Sequence, residues 1–218
     1  KVVVNDSGGT AVVGDFTLKV DGTVVTSGVQ TGFDAAAYMV SETGPGGYDS
    51  VISGDCAADG SITLALGDVK SCTVTNDDQP GTLTVRKVVV NDGLGIGTKT
   101  ASDFSFSVNG GAATPFEGDG ENVLTVAAGA YTVSEPEVAG YGASYSNCTG
   151  VVVANGGSAT CTITNTVGDA DGNGVVDIGD VLYVELVIAG MAPATPGSDA
   201  NQDGVIDMAD VLTILFMI

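Results

Sequence analysis

The stretch Lys1-Val-Val-Val-Asn-Asp6 returns unchanged as Lys87-Val-Val-Val-Asn-Asp92. Other stretches return in the same order, so that the segment 15–22 parallels 103–110, the segment 38–42 parallels 131–135, and Cys72-Thr-Val-Thr-Asn76 parallels Cys161-Thr-Ile-Thr-Asn165. An internal repeat of this length indicates two copies of one domain. We therefore predict three domains, with the first copy at residues 1–79, the second at 80–167 and a different module at 168–218.

Each copy has the pattern of short β-strands. Phe16, Leu18 and Val20 alternate with polar residues, which is the period of a half-buried strand. Asp21-Gly22 and Asn109-Gly110 are typical of tight hairpin turns. Such patterns at intervals of about ten residues favour an immunoglobulin-like (Ig-like) β-sandwich. The fold class expected for the whole chain is therefore mainly β, with a small all-α module at its C-terminal end.

The four cysteines fall in pairs within the copies. Four cysteines allow three pairings, and only the pairings Cys56–Cys72 and Cys148–Cys161 respect the repeat. A metal site is a weak alternative, because two thiols without histidine make a poor zinc site. Two disulfides indicate an oxidising compartment, so we expect a secreted, extracellular or cell-surface protein.

The copies resemble the Cna-B/SpaA type of prealbumin-like domain found in bacterial surface proteins. The resemblance lies in the stretches Tyr38–Tyr48 and Tyr131–Tyr141, where a glutamate is followed by a Pro/Gly turn and a tyrosine. Some members of that family form an isopeptide bond between Lys and Asn, assisted by this Glu. Alternatively, Lys87, which follows Arg86, faces water and the disulfide alone holds the last strand. The residues at the matching positions are Lys1, Glu42 and Asn76 in the first copy, and Lys87, Glu135 and Asn165 in the second.

Two acidic segments follow the second copy, at residues 169–180 and 199–210. Each places oxygen-bearing side chains at positions one, three, five, nine and twelve of a twelve-residue loop, with glycine at position six. Ca²⁺ takes about six to eight oxygen ligands, and valine at position seven would offer its carbonyl. Position twelve is Asp in both loops, where an EF-hand has Glu. The expected ligands are Asp169, Asp171, Asn173, Val175, Asp177 and Asp180, and Asp199, Asn201, Asp203, Val205, Asp207 and Asp210.

Two such loops, each followed by an apolar helix, resemble the dockerin domain. The resemblance covers residues 168–218 and implies two bound Ca²⁺ ions and docking onto a cohesin partner. The helices, predicted at 178–188 and 208–218, are apolar on nearly all sides, which leaves apolar surface for a protein partner. The candidate partner-binding residues are Ile178, Met208, Leu215, Phe216 and Ile218.

The composition argues against several classes of function. The chain has 27 acidic and six basic residues, a net charge of −21 and no histidine. Such a surface is a poor partner for nucleic acid or an anionic membrane. Without histidine the commonest general base is missing, and the regularly spaced carboxylates are explained by calcium. We therefore expect no enzyme, and no segment long enough to insert into a membrane.

The leading hypothesis is a non-catalytic structural protein of the cell surface. We expect a short first strand at Lys1 to leave a sheet edge open, and the helices near Ile218 to leave an apolar face. If these ends meet between successive copies, the contact is head-to-tail and builds a fibre. A second hypothesis is a dockerin-bearing fragment that docks onto a separate cohesin. A third is an adhesive or carbohydrate-binding module, against which the absence of Trp counts. Glycans on the many surface Ser and Thr residues stay open.

Overall fold

The computed structural model describes residues 1–218 and divides them into two compact units. The first unit comprises 1–82, 125–129 and 153–158, and the second comprises 83–124, 130–152 and 159–218. Both units are built of short β-strands, and two short helices close the chain. The prediction of a mainly β protein with a small helical end is confirmed at this level.

The first unit contains seven strands in two sheets. One sheet has the order β1-β7-β5 and the other the order β3-β2-β4-β6. Strand β1 runs parallel to β7, with Val3 opposite Asn76, and the remaining pairs in both sheets are antiparallel. The strands are β1 (Val2–Val4), β2 (Thr17–Val20), β3 (Thr23–Val25), β4 (Ala37–Thr43), β5 (Tyr48–Gly54), β6 (Ser61–Thr63) and β7 (Cys72–Asp78).

The second unit contains most of the other nine strands. Its largest sheet has the order β11-β8-β16-β14, and two smaller sheets have the orders β10-β9-β13 and β12-β15. The strands are β8 (Gly81–Val90), β9 (Ser105–Val108), β10 (Thr114–Pro115), β11 (Glu121–Val126), β12 (Gly129–Tyr131), β13 (Val133–Ser134), β14 (Tyr141–Ser146), β15 (Val151–Val153) and β16 (Ser158–Val167).

The turns follow from residues that tolerate a left-handed backbone. Asp21 and Gly22 have φ of 44° and 81°, and they join β2 to β3 so that Val20 lies opposite Thr23. Asn109 and Gly110 have φ of 51° and 70° at the same place in the repeat. Both turns were predicted, because few residues other than Gly, Asn and Asp occupy this region at low cost.

The core of the second unit is formed by alternate residues of its strands. Leu83 and Val85 of β8, Phe106 of β9 and Ile163 of β16 are almost fully buried. The polar residues between them point the other way, as the two-residue period of a strand requires. The same alternation places Lys87 of β8 inside rather than outside.

The helices are α1 (Ile178–Ile188) and α2 (Met208–Met217). Their buried residues Val181, Val184, Val211 and Ile214 form one small core. Each helix begins at an aspartate whose carboxylate accepts a hydrogen bond from a backbone N–H of the first turn, which stabilises the helix start. Neither helix is long and apolar enough to cross a membrane.

Buried lysine sites and acidic loops

The second unit brings a lysine, a glutamate and an asparagine into contact. Lys87 lies on β8, Asn165 lies on the neighbouring β16, and Glu135 follows the end of β13. The Nζ of Lys87 donates hydrogen bonds to Oε2 of Glu135 and to Oδ1 of Asn165. These are the three residues that the sequence predicted for one cross-link.

The surroundings of Lys87 are apolar. Only 5% of Lys87 is exposed, and its Nζ lies 3.9 Å from the centre of the Phe104 ring and 5.5 Å from that of Phe116. Burial lowers the pKa of Lys87 to about 8, although Glu135 acts to raise it. A larger share of the amine is therefore neutral near physiological pH than for a lysine in water, and a neutral amine is a nucleophile.

Two polar atoms of this site have no hydrogen-bond partner. They are Oε1 of Glu135 and Nδ2 of Asn165, and both are buried. An unpaired buried polar group costs about 1–3 kcal/mol, and such a cost is common where chemistry takes place. Loss of the Asn165 amide nitrogen as ammonia would remove one of these two unpaired atoms.

The first unit repeats the arrangement. The Nζ of Lys1 donates to Oδ1 of Asn76 on β7 and lies 2.9 Å from Oε2 of Glu42 on β4. The Phe16 ring covers the amine, with its centre 4.1 Å from Nζ. The Lys1 side chain is fully buried, and that of Glu42 is 10% exposed.

The alternative prediction for Lys87, that it faces water, is wrong. The alternation along β8 turns Lys87 to the same side as Leu83 and Val85, and its side chain is completely buried. The role of Phe16 and Phe104 was missed in the sequence, although both stand at equivalent positions of the repeat.

Both predicted disulfides are present, and the chain has no free cysteine. Cys56 is joined to Cys72, and Cys148 is joined to Cys161. Cys72 shares β7 with Asn76, and Cys161 shares β16 with Asn165. The strand that carries each asparagine is therefore covalently held four residues before it.

The first acidic loop is folded around two buried aspartates. Asp169, at position one, accepts hydrogen bonds from the N–H groups of Gly172 and Asn173 on one oxygen and from that of Gly174 on the other. Asp180, at position twelve, accepts from the N–H groups of Ala170, Asp171 and Asp177. The carboxylate of the Asp at position twelve thus closes the loop by accepting hydrogen bonds from N–H groups of the loop backbone.

The second loop has nearly the same pattern. Asp199 accepts from the N–H groups of Asp203 and Gly204, and Asp210 accepts from those of Asn201 and Asp207. The two loops are therefore held by similar sets of backbone-to-carboxylate hydrogen bonds.

The first loop fits a calcium ion by the chemistry and placement of its donors. Carboxylate oxygens of Asp169, Asp171 and Asp180 all lie within 4.8 Å of one another. Burial raises the pKa of Asp169, and the charges of Asp180 and Asp171 add to the rise. Burial likewise raises the pKa of Asp210, together with the charges of Asp199 and Asp203. A divalent cation among oxygen donors would relieve the repulsion between these carboxylates.

The remaining predicted ligands lie in the same loops. Asn173 accepts a hydrogen bond from Val175 N–H, and Asp203 accepts the corresponding bond from Val205 N–H. Asp177 and Asp207 are used as helix caps.

The five predicted partner-binding residues are exposed. The exposed fractions range from 46% for Leu215 to 71% for Phe216. The other members of this set are Ile178, Met208 and Ile218. Together with Leu182 and Leu212, they give both helices an apolar outer surface.

Comparison with known sequences assigns the β-domains to a family. Residues 1–74 and 78–167 match the model of the SpaA_2 family, described as a prealbumin-like fold domain. The chain therefore belongs to this family, and its β-sandwiches are prealbumin-like. No curated protein sequence matches the chain.

Several solved structures are similar to the chain at low identity. The Bacillus anthracis TIE protein is 15% identical, with a TM-score of 0.32, over 72% of this chain and 42% of that one. Two B repeats of the Staphylococcus aureus collagen-binding protein are 18% identical, with a TM-score of 0.31, over 70% and 43%. The Streptococcus pyogenes major pilin T3.2 is 14% identical, with a TM-score of 0.28, over 76% and 95%. The chain thus spans less than half the length of the first two.

Proposed function

We propose that the chain is a non-catalytic, extracellular structural protein whose two β-domains are closed by internal Lys–Asn cross-links and whose C-terminal module binds calcium and joins successive copies. The observation that carries this proposal is the pair of buried Lys–Glu–Asn sites at equivalent positions of both domains. A buried lysine and glutamate are costly to a fold, so their repetition in both copies favours a chemical role.

The cross-link forms when the lysine amine replaces the amide nitrogen of the asparagine, and this reaction needs no cofactor. The neutral Nζ of Lys87 attacks Cγ of Asn165 and forms a new C–N bond. The old Cγ–Nδ2 bond breaks, and ammonia leaves. Glu135 is placed to take the proton from Nζ and to return a proton to the departing nitrogen. Lys1, Glu42 and Asn76 would act in the same way.

The cross-links suit a protein that bears load. Each proposed bond would join the start of a domain to its last strand, the residue before β1 to β7 in the first domain and β8 to β16 in the second. The chain between the two bonded residues would then be spared from extension when the ends are pulled. The disulfides also support an extracellular setting, because they persist where conditions are oxidising.

The C-terminal module is proposed to hold two Ca²⁺ ions in the loops 169–180 and 199–210. The support is the oxygen donor set, the convergence of three carboxylates in the first loop and the equal folding of the second. When bound, each Ca²⁺ would offset two of the four aspartate charges of its loop and hold the helices α1 and α2 together.

The outer surface of these helices is proposed to contact a second copy. Exposed apolar residues on both helices are the support, since such surfaces mark protein contacts. A contact between two different surfaces of successive copies repeats without closing and gives a fibre.

Two measurements test the proposal. Intact mass of the purified chain should be lower than the disulfide-bonded sequence mass by two ammonia molecules, and peptide mapping should find the Lys1–Asn76 and Lys87–Asn165 bonds. Electron microscopy should show filaments that shorten or vanish with EGTA. An intact mass equal to the disulfide-bonded sequence mass would overturn the cross-links. Uniform single particles in the presence of calcium would favour docking onto a different protein.

A further inference from the structure

Tyr141 connects the lysine site of the second unit with the C-terminal module. Tyr141 is completely buried, and its ring packs edge-on against Phe104, with 5.6 Å between the ring centres. Phe104 in turn covers Nζ of Lys87. Tyr141 therefore positions the Phe104 ring, which forms the wall of the lysine site.

The first acidic loop holds the residues on both sides of Tyr141. Gly168, which directly precedes the loop, donates its N–H to the carbonyl of Gly140 at 3.1 Å. The carbonyl oxygen of Asp169 packs so closely on Gly142 that a Cβ there would collide with it. Asp169 also follows Asn165 by only four residues along the chain. The first calcium ligand is thus tied both to the strand that carries Asn165 and to the strand that begins with Tyr141.

The second acidic loop reaches the same place through Gln202. The Nε2 of Gln202 donates to the carbonyl of Ile96 at 3.1 Å, and its side chain lies where a Cβ of Gly140 would be. Gln202 has φ of 61°, at the loop position where the first loop has Gly172 with φ of 76°. A left-handed backbone conformation costs a non-glycine residue about 1–2 kcal/mol, and the contacts of the Gln202 side chain offset this cost.

The segment after β8 completes the connection. Ile96 lies in the segment 91–99, where Lys99 N–H donates to the Tyr141 hydroxyl at 3.2 Å. That hydroxyl donates to Oδ1 of Asn91 at 2.6 Å. Both acidic loops therefore touch residues that hold Tyr141 in place, one through 140–142 and the other through 91–99.

We propose that calcium binding to the acidic loops accelerates formation of the Lys87–Asn165 bond by ordering Tyr141 and the Phe104 wall of that site. This inference rests on the proposed function, since it requires both the calcium sites and the cross-link. The Lys1–Asn76 site, which lies in the other unit, has no such module in its own unit. The chain thus carries its own control.

The test is refolding of the complete chain, collected unfolded in denaturant before either cross-link has formed, in a glutathione redox buffer with either Ca²⁺ or EGTA. Samples are quenched over time, and each bond is quantified by peptide mass mapping. In EGTA the rate of Lys87–Asn165 bond formation should be at least about fivefold lower than in Ca²⁺. Fivefold is the lower end of the usual range of coupling between two sites. The Lys1–Asn76 bond should form at an unchanged rate.

A variant tests the contact itself. Gln202→Ala should retain calcium binding by calorimetry but reduce the effect of calcium on the Lys87–Asn165 bond. Gln30→Ala, at an exposed glutamine of the first unit, is the matched control and should behave as the unchanged chain.

The outcomes separate the coupling from the proposed function. If calcium binds and both bonds form, but the two bonds respond equally to calcium or not at all, the coupling is wrong and the proposed function stands. If Gln202→Ala leaves the calcium effect intact, the route through Gln202 is wrong. If no calcium binds, or if no ammonia is lost, the proposed function fails and the coupling fails with it.

Discussion

At the scale of single residues, the lysine sites combine groups that a fold alone would avoid. The Lys87 amine is buried beside one carboxylate, one amide and two phenyl rings. Placing a charge there costs several kcal/mol unless it is paired, and Glu135 supplies the pair. The pair is neutral in either proton arrangement, so a proton can pass from Lys87 to Glu135 without creating a net charge in the core.

Replacing the glutamate should stop the reaction without emptying the site. In Glu135→Gln the side chain keeps its size but no longer accepts a proton from Lys87, so the Lys87–Asn165 bond should be lost. Intact mass should rise by one ammonia, apart from the substitution itself, and peptide mapping should find only Lys1–Asn76. The matched control is Glu137→Gln, at an exposed residue two positions further on. A bond that still forms in Glu135→Gln would show that Glu135 is not the proton acceptor.

The lowered pKa of Lys87 predicts how the reaction depends on pH. Since burial lowers this pKa from 10.5 to about 8, the neutral fraction of the amine should rise about tenfold per pH unit up to about 8 and then level off. Protein collected unfolded and refolded at a series of pH values should form the Lys87–Asn165 bond at rates that follow this curve. A rate that keeps rising tenfold per unit above about pH 9 would contradict the lowered pKa.

The same shift has a consequence for stability before the bond forms. The unfolded chain, with its higher pKa, binds more protons than the folded chain between about pH 8 and 10.5. The free energy of unfolding should therefore rise with pH through this window. Asn165→Ala, which cannot form the bond, allows the measurement by denaturant unfolding.

Single residues also show what the sequence could and could not predict. The resemblance to the Cna-B/SpaA family was what paired Lys87 with Glu135 and Asn165. Strand parity agreed with it only for the equivalent Glu42 and Asn76 of the first copy. The contact of Gln202 with the Ile96 carbonyl follows no pattern, since it joins segments more than one hundred residues apart. Contacts between a loop and a distant loop depend on packing that no local periodicity encodes.

At the scale of elements, the acidic loops and the helices stabilise each other. Asp177 and Asp207 cap the starts of the two helices. Asp180 and Asp210 lie in the first helical turns, and their carboxylates also accept hydrogen bonds from the loops. The helices are only three turns long, and helices of that length are marginal without tertiary packing. Their bounds were predictable to within a residue because the loop spacing fixes the helix start.

Removing calcium should therefore loosen both helices and leave the sandwiches in place. Far-ultraviolet circular dichroism in EGTA should lose most of the helical signal, since crowded carboxylates would repel and open the loops. Excess Ca²⁺ should restore the helical signal. Asp171→Asn with Asp203→Asn lowers the negative charge and is expected to weaken calcium affinity and reduce the EGTA effect. A helical signal that is indifferent to EGTA in the unchanged chain would contradict a calcium-dependent module.

At the scale of the whole molecule, the chain separates covalent strength from reversible contact. Each β-domain holds one disulfide and one lysine site, so the two disulfides and the two proposed Lys–Asn bonds would give four covalent closures along the two domains. The C-terminal module has neither, and it exposes apolar residues instead. A structural protein built in this way would resist extension within its domains, and its assembly would depend on the helices.

The exposed face of α2 provides the test of that assembly. Phe216 is 71% exposed, and burying such a side chain against a second copy is worth about 1.5–3 kcal/mol. Phe216→Ser should therefore weaken association by roughly tenfold or more, which electron microscopy and sedimentation would detect as shorter filaments and more single subunits. Both cross-links should still form. Leu66→Ser is the matched control, because Leu66 is 93% exposed on the first unit and is not assigned to the contact. Equal filament lengths for the unchanged chain and Phe216→Ser would remove α2 from the contact between copies.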